Sequence, residues 1–153
     1  MKKRILFVCH GNICRSPMAE FVMKDLVKRS GLEDMFEIAS AATSTEELGN
    51  PVYGPARRVL HDHGLNCDGK YARAVRHDEY EKWDLFVIMD RRNRINLSRI
   101  FPEDPGHKIH LLLDYTERKG MEVADPWYSG DFSATWRDVN EGCRGLLETL
   151  LEE

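Results

Sequence analysis

A cysteine and an arginine lie close together just after the first apolar run of the chain. Residues 5–8 predict a buried strand, and Cys9 and Arg15 bracket a short segment followed by Ser16 and Pro17. A loop after a strand can point backbone N–H groups at an anion, and the first turn of a helix adds further unpaired N–H groups. An arginine can hold two phosphate oxygens at once, and a thiolate is a strong nucleophile. These residue types, in this order, indicate nucleophilic chemistry on a phosphate group.

The residues between Cys9 and Arg15 suit a tight anion-binding loop. Gly11 allows close approach of the backbone to an oxyanion, and Asn12 tolerates the left-handed conformation. We expect Ser16 to be the N-cap of the next helix, with Pro17 at its first position, and the Ser16 hydroxyl to donate to Cys9. Here Cys9 is expected to be an exposed thiolate, although a lone cysteine is more often a small buried apolar residue. The predicted loop comprises His10, Gly11, Asn12, Ile13, Cys14 and Ser16.

Alternating apolar patterns predict an α/β fold. Strands are expected at about 4–9, 36–40, 85–89 and 109–112, with helical patterns between them and an apolar stripe over 136–150. This alternation implies a three-layer, doubly wound sandwich around a four-stranded parallel sheet, with the phosphate-binding loop after the first strand. Ligands of such sheets bind beyond the carboxyl ends of the strands, which is where Cys9 is placed.

Length and composition limit the class of protein. With 153 residues, 42% of them hydrophobic, we expect one domain spanning residues 1–153. No apolar run approaches a membrane span or a signal peptide, so we expect no membrane partner. Four cysteines do not suggest a disulfide framework, which favours a reducing, cytoplasmic setting. A net charge of −4 gives no indication of nucleic-acid binding.

The string from Val8 to Glu20, VCHGNICRSPMAE, resembles the signature of the low-molecular-weight protein tyrosine phosphatases. The family carries a second motif, an Asp-Pro followed by aromatic residues, and Asp125-Pro126-Trp127-Tyr128 matches it. The resemblance implies hydrolysis of phosphotyrosine and aryl phosphates through a phosphocysteine on Cys9. It also implies that Arg15 binds phosphate, that Asp125 is the general acid and then the general base, and that no cofactor or metal ion takes part.

The leaving group explains why an acid is needed. Expulsion of a phenolate, whose conjugate acid has a pKa of about 10, is assisted by a positioned proton donor. Asp125 is our candidate, although Asp-Pro more commonly only forms a turn. Trp127 and Tyr128 are expected to wall a flat slot for the substrate ring. The rim position that is often aromatic in the family falls on Glu46, which weakens ring stacking on that side.

Three further expectations concern the surroundings of the loop. Residues matching Ser40 and Asp90 support the loop or its arginine in the family. Many members have a histidine bonded to the loop asparagine, and Lys70 stands in its place here. Cys14 lies within reach of Cys9 for a reversible disulfide, which predicts redox regulation.

Alternative functions remain open at this stage. Arsenate reductases share the fold and loop but relay a disulfide through further cysteines, and residues 68–142 contain none. Arginine-phosphate phosphatases of the family tend to have threonine where this chain has Ile13. A non-enzymatic phosphotyrosine-binding module would usually lack Cys9 or Asp125. The expected partners are a tyrosine-phosphorylated protein, of which a tyrosine kinase is one example, and inorganic phosphate as product.

Overall fold

The computed structural model describes residues 2–153. Its four strands are β1 (Lys3–Cys9), β2 (Phe36–Ala42), β3 (Leu85–Ile88) and β4 (Ile109–Leu111). Its helices are α1 (Arg15–Arg29), α2 (Gly54–Asp62), α3 (Arg91–Ile100), α4 (Pro126–Ser129) and α5 (Phe132–Leu151). Short 3₁₀ turns cover Glu33–Met35, His77–Lys82 and Leu112–Tyr115.

The strands form one parallel sheet in the order β2-β1-β3-β4. Successive residues of β1 point to opposite faces: Ile5 and Phe7 join one buried cluster, and Leu6 and Val8 join the other. Both faces are therefore covered, as the continuous apolar run in β1 predicted. The predicted three-layer sandwich with a four-stranded parallel sheet is confirmed.

Helices α1, α2 and α5 cover one face of the sheet, and α3 covers the other. Val139, Cys143 and Leu146 form the buried part of the α5 stripe. A Cβ atom at Gly142 would lie 2.4 Å from Leu112 Cγ. Glycine therefore lets α5 pack closely against the turn that follows β4.

The order of the strands determines where a ligand crevice forms. β1 lies between β2 and β3, so the chain leaves the sheet on opposite sides at the carboxyl ends of β1 and β3. A ligand crevice forms at such a reversal of strand order. Cys9 ends β1, and Asp90 follows β3 directly before α3. No helix among residues 2–153 is long and apolar enough to cross a membrane.

Candidate active site

Residues 10–14 form a short loop between β1 and α1, and the segment after β2 holds it in place. The backbone N–H groups of Thr43 and Ser44 donate to the carbonyls of Cys9 and His10 at 2.9 and 3.1 Å. Tyr53 N–H donates to the Ile13 carbonyl at 2.8 Å. These backbone bonds anchor the loop at both of its ends.

The start of α1 differs from the predicted one. The helix begins at Arg15 with Cys14 as its N-cap, so Ser16 is not the cap and Pro17 is not the first helical residue. The reason is that the Ser16 hydroxyl is engaged elsewhere, at 2.9 Å from Cys9 Sγ. The loop asparagine also donates to it, at 2.8 Å. A side chain committed to the loop cannot also cap the helix.

Cys9 is enclosed rather than exposed, which corrects the expectation from the sequence. Only 4% of the residue is accessible, at the floor of the loop. Its sulfur lies 2.9 Å from Ser16 Oγ and accepts the Asn12 backbone N–H at 3.3 Å. The sulfur therefore lies among hydrogen-bonding groups of the loop itself.

The loop also holds unpaired donors. None of residues 2–153 accepts a hydrogen bond from the backbone N–H groups of Gly11, Ile13, Cys14 or Arg15. Such groups at the start of a helix, where the dipole is positive, favour binding of an anion. The loop can therefore bind the oxygens of a phosphate above the sulfur.

Arg15 is buried among acceptors at one side of the loop. One guanidinium nitrogen lies 2.8 Å from Asp90 Oδ2 and 3.5 Å from Asp125 Oδ2, and the other donates to the Val123 carbonyl at 3.2 Å. Burial lowers the pKa of Arg15, but the Cys9 thiolate, Asp125 and Asp90 outweigh that effect and raise the pKa above its ordinary value. Asp90 and Val123 thereby fix a permanent cation beside the sulfur.

Asp125 faces the same arginine from a different part of the chain. Its Oδ1 caps α4 by accepting the Trp127 N–H at 3.0 Å, while Oδ2 points toward Arg15. The Asp-Pro therefore starts a helical turn, and the same carboxylate also reaches the site.

Aromatic rings cluster next to the helical turn that Asp125 caps. The Trp127 ring lies 5.2 Å from that of Tyr53 and is 58% exposed, and Tyr128 is 81% exposed. Tyr53 also stacks on Phe132 at 6.0 Å. The sequence analysis missed Tyr53, although an aromatic residue just before a Gly-Pro helix start was a usable signal.

Asn12 organises the loop from beneath. Its backbone has a φ of 60°, and its Nδ2 group donates to Ser16 Oγ at 2.8 Å and Ser40 Oγ at 2.9 Å. Its Oδ1 accepts the Arg73 backbone N–H at 3.2 Å. Lys70 does not touch Asn12: its Nζ donates to the Ser40 carbonyl at 2.9 Å and lies 3.5 Å from Glu20.

Glu46 pairs with a residue of the loop. Its Oε2 is 3.0 Å from His10 Nε2, and both side chains are exposed. The adjacent Glu47 packs near Gly11, where an added Cβ would lie 3.3 Å from Glu47 Cγ. Two acidic side chains therefore lie beside the first residues of the loop.

Burial affects the three remaining cysteines. All four are free, and burial raises the pKa of Cys14 to about 12, with a contribution from Cys9. Burial also raises the pKa of Cys67 and, further still, that of Cys143. Among residues 2–153, no group of three His, Cys, Asp or Glu side chains is placed to hold a metal ion.

A buried sulfur in an anion-binding loop, with a fixed arginine and a facing carboxylate, is the arrangement of a cysteine-dependent phosphatase. Comparison with known proteins agrees. The family model for low molecular weight phosphotyrosine protein phosphatase matches residues 4–153. The chain is 35% identical over 150 residues to the low molecular weight protein-tyrosine-phosphatase YfkJ of Bacillus subtilis, covering 97% of this chain and 96% of the relative.

One further relative and two solved structures extend the comparison. The low molecular weight phosphotyrosine protein phosphatase of Gallus gallus is 37% identical over 150 residues, covering 95% of this chain and 94% of the relative. The crystal structure of YfkJ has a TM-score of 0.95 and covers 99% of this chain and 96% of its own. A Drosophila arginine phosphatase has a TM-score of 0.87 at 30% identity, with 98% of both chains covered. The chain belongs to the low molecular weight phosphotyrosine protein phosphatase family, whose members are cysteine-dependent hydrolases.

Proposed function

We propose that this chain hydrolyses phosphotyrosine in proteins through a phosphocysteine on Cys9. The observation that carries the proposal is the placement of the Cys9 sulfur 2.9 Å from the Ser16 hydroxyl, beneath unpaired backbone N–H groups and beside Arg15. His10, Gly11, Asn12, Ile13, Cys14 and Ser16 form the loop that receives the phosphate.

The first step transfers the phosphoryl group to sulfur. The Cys9 thiolate forms an S–P bond while the bond between phosphorus and the tyrosine oxygen breaks. Asp125, in its protonated form, gives its proton to that oxygen, so neutral tyrosine leaves. Arg15 and the loop N–H groups hold the phosphate oxygens and stabilise their charge in the transition state.

The second step regenerates the enzyme. Asp125, now a carboxylate, accepts a proton from water while the water oxygen attacks phosphorus. The S–P bond breaks, the Cys9 thiolate leaves, and inorganic phosphate is released. Ser16 donates to the sulfur as it becomes a leaving thiolate. The substrate ring lies against Trp127, Tyr53 and Tyr128.

The proposed partners are tyrosine-phosphorylated proteins, a tyrosine kinase among the possible substrates. Aromatic side chains at the mouth suit a phenyl ring, and the apolar Ile13 in the loop favours an aryl phosphate over a guanidino phosphate. Free thiols at all four cysteines support a reducing compartment, and we place the reaction in the cytoplasm.

A leaving-group experiment tests this mechanism. Wild type, Asp125→Ala and Cys9→Ser are assayed in EDTA with phenyl phosphate and para-nitrophenyl phosphate. Asp125→Ala should slow phenyl phosphate by about 10²–10⁴-fold, and the substrate with the acidic leaving group much less, because acid assistance matters most for a basic oxygen. Cys9→Ser should have no turnover, because its hydroxyl is not ionised at neutral pH.

Three results would contradict the proposal. An equal loss on both substrates would show that Asp125 acts only as a helix cap. Activity in Cys9→Ser would exclude a phosphocysteine, and loss of wild-type activity in EDTA would indicate a metal ion. Phosphotyrosine peptide and phosphoarginine, assayed in parallel, decide the substrate class: faster release from phosphoarginine would replace the aryl assignment.

A further inference from the structure

Two side chains of α5 hold the residue that precedes Asp125. Residues 116–125 (the acid segment) form no helix or strand. Within this segment, Ala124 N–H donates to Asp138 Oδ2 at 2.9 Å, and the Ala124 carbonyl accepts the Thr135 hydroxyl at 2.8 Å. Both backbone polar groups of Ala124 are thus bound to side chains of one helix, and the proposed reaction assigns no role to either of them.

The Thr135 hydroxyl binds the acid segment more closely than it binds its own helix. A threonine within a helix commonly donates to the carbonyl four residues earlier. Here that carbonyl, of Asp131, lies 3.5 Å from Thr135 Oγ1, whereas the Ala124 carbonyl lies at 2.8 Å. Thr135 is fully buried, and a buried hydroxyl is costly without a partner. The bond therefore fixes the peptide group between Ala124 and Asp125.

Asp138 binds the acid segment at two points, with a different oxygen at each. Arg118 donates to Oδ1 at 2.7 Å, and Ala124 N–H donates to Oδ2 at 2.9 Å. A carboxylate accepts at both oxygens, whereas an amide side chain accepts at only one. The Asp138 side chain is 15% exposed, so this ion pair is better shielded from water than a surface pair. Asp138 therefore joins the beginning of the acid segment to its end.

The residue before Ala124 is held by other parts of the fold. Val123 N–H donates to the carbonyl of Met89, directly after β3, at 3.0 Å, and the Val123 carbonyl accepts from Arg15 at 3.2 Å. Residues 123 and 124 are thus bound to the end of the sheet, to the phosphate-binding arginine and to α5. The Asp125 side chain follows directly, with its Oδ2 3.5 Å from Arg15. A shift of Ala124 would therefore move the acid relative to the bound phosphate.

We propose that Thr135 and Asp138 are positioning residues, which fix Ala124 so that the Asp125 carboxyl reaches the leaving oxygen of the substrate. The inference rests on the proposed role of Asp125 as general acid, and both side chains act through the backbone of Ala124. Proton transfer requires hydrogen-bond reach, and a misplacement of about 1 Å can cost about 10²-fold in rate. Loss of either side chain should therefore weaken acid catalysis and leave phosphate binding by Arg15 in place.

The ratio of kcat/KM for phenyl phosphate to kcat/KM for para-nitrophenyl phosphate measures acid catalysis separately from stability. Asp138→Asn should lower kcat/KM at least about tenfold for phenyl phosphate and about twofold or less for para-nitrophenyl phosphate, because an acidic leaving group needs little assistance. Glu141→Gln is the matched control. Glu141 binds Arg118 at 2.6 Å as Asp138 does, but the Ala124 N–H is bound by Asp138, so Glu141→Gln should keep the wild-type ratio. Thermal unfolding checks that each variant is folded.

Thr135→Val and Thr135→Ser keep the test decisive if Asp138→Asn is unstable. Valine has the shape of threonine without the hydroxyl, so Thr135→Val should lower the ratio as Asp138→Asn does. Serine can donate to the Ala124 carbonyl, so Thr135→Ser should keep the ratio. A purely structural role of these side chains would lower Tm and leave the ratio unchanged.

The same substitutions in Asp125→Ala test whether the effect passes through the acid. In that background Asp138→Asn should slow both substrates by the same small factor, because no acid is left to misplace. A wild-type ratio in folded Asp138→Asn or Thr135→Val, or a further change of the ratio in the Asp125→Ala background, would overturn the proposal. If Asp125→Ala alone left the ratio unchanged, the proposed function itself would fail.

Discussion

Two buried glutamates are connected to the same loop asparagine, but their hydrogen bonds lead to different parts of the molecule. Glu20 is 4% exposed and Glu79 is fully buried. Glu20 reaches Asn12 through the Ser40 hydroxyl, and the hydrogen bonds continue to the Cys9 sulfur. Glu79 reaches it through Arg73, whose backbone N–H donates to Asn12.

The hydrogen-bond partners of Glu79 lie outside the loop that contains Cys9. Its carboxylate binds both terminal nitrogens of Arg73 at 2.9 and 3.0 Å, the Arg76 N–H at 2.9 Å and the Trp83 indole N–H at 3.0 Å. Burial raises the pKa of Glu79, but these donors outweigh it and hold the pKa at about 2. Hydrogen bonds therefore link Glu20 to the sulfur, whereas Glu79 holds the segment that carries Arg73.

The two arginines provide the largest expected contrast. Arg15→Lys should reduce kcat/KM for para-nitrophenyl phosphate at least about a hundredfold, because an ammonium cannot hold two phosphate oxygens in the arginine geometry. Arg73→Lys should keep activity within a few-fold, because its contact with Asn12 uses the backbone, and should lower stability instead. Steady-state kinetics and thermal unfolding of both variants make the measurement. Similar losses of kcat/KM in Arg15→Lys and Arg73→Lys would show that the two arginines do not differ in this way.

Removal of the Glu79 charge should affect stability and its pH dependence. The pKa of Glu79 falls from 4.5 to about 2 on folding, so its stabilisation is present above pH 4.5 and is lost as pH falls toward 2. Glu79→Gln should lower the free energy of unfolding at neutral pH by about 3 kcal/mol, and this deficit should shrink in acid. Urea unfolding at a series of pH values measures it.

The neighbouring Asp78→Asn is the matched control for Glu79. Asp78 pairs with Arg76 at the surface and is 77% exposed, so neutralising it should not measurably change stability. If the loss of unfolding free energy in Glu79→Gln did not depend on pH, it would come from altered packing and not from the missing charge.

The smallest effect is expected at Cys14, and it appears only under oxidation. With its pKa raised to about 12, Cys14 is a neutral thiol, so Cys14→Ser should keep kcat within about twofold of wild type. Peroxide converts the Cys9 thiolate to a sulfenic acid, which condenses with the Cys14 thiol to a disulfide and releases water. Wild type should recover activity with a thiol reductant, and Cys14→Ser should not.

Cys67→Ser is the control for this redox prediction, and it should recover as wild type does. Bound phosphate should protect each protein by covering Cys9. Peptide mapping that joins Cys9 to Cys67 or Cys143, instead of Cys14, would contradict this prediction.

The sequence by itself determined the parts of this protein that depend on neighbours along the chain. The buried strand before Cys9, the glycine and asparagine of the loop and the helix after Arg15 are local, because a few adjacent residues set their backbone conformations. The continuous apolar run of β1 also determined that both faces of the sheet are covered. Alternation of helices with such strands was enough to predict the parallel sheet.

Contacts between distant segments were decided only by the tertiary structure. Local patterns carry no distance between residues far apart in sequence, so they could not bring Arg15 to Asp90 and Asp125 or Tyr53 beside Trp127. The burial of Cys9 and the displacement of Ser16 from the helix cap have the same origin. Strand order places β2 next to β1, which brings Ser40 beneath Asn12 and gives Glu20 and Lys70 a path to the sulfur.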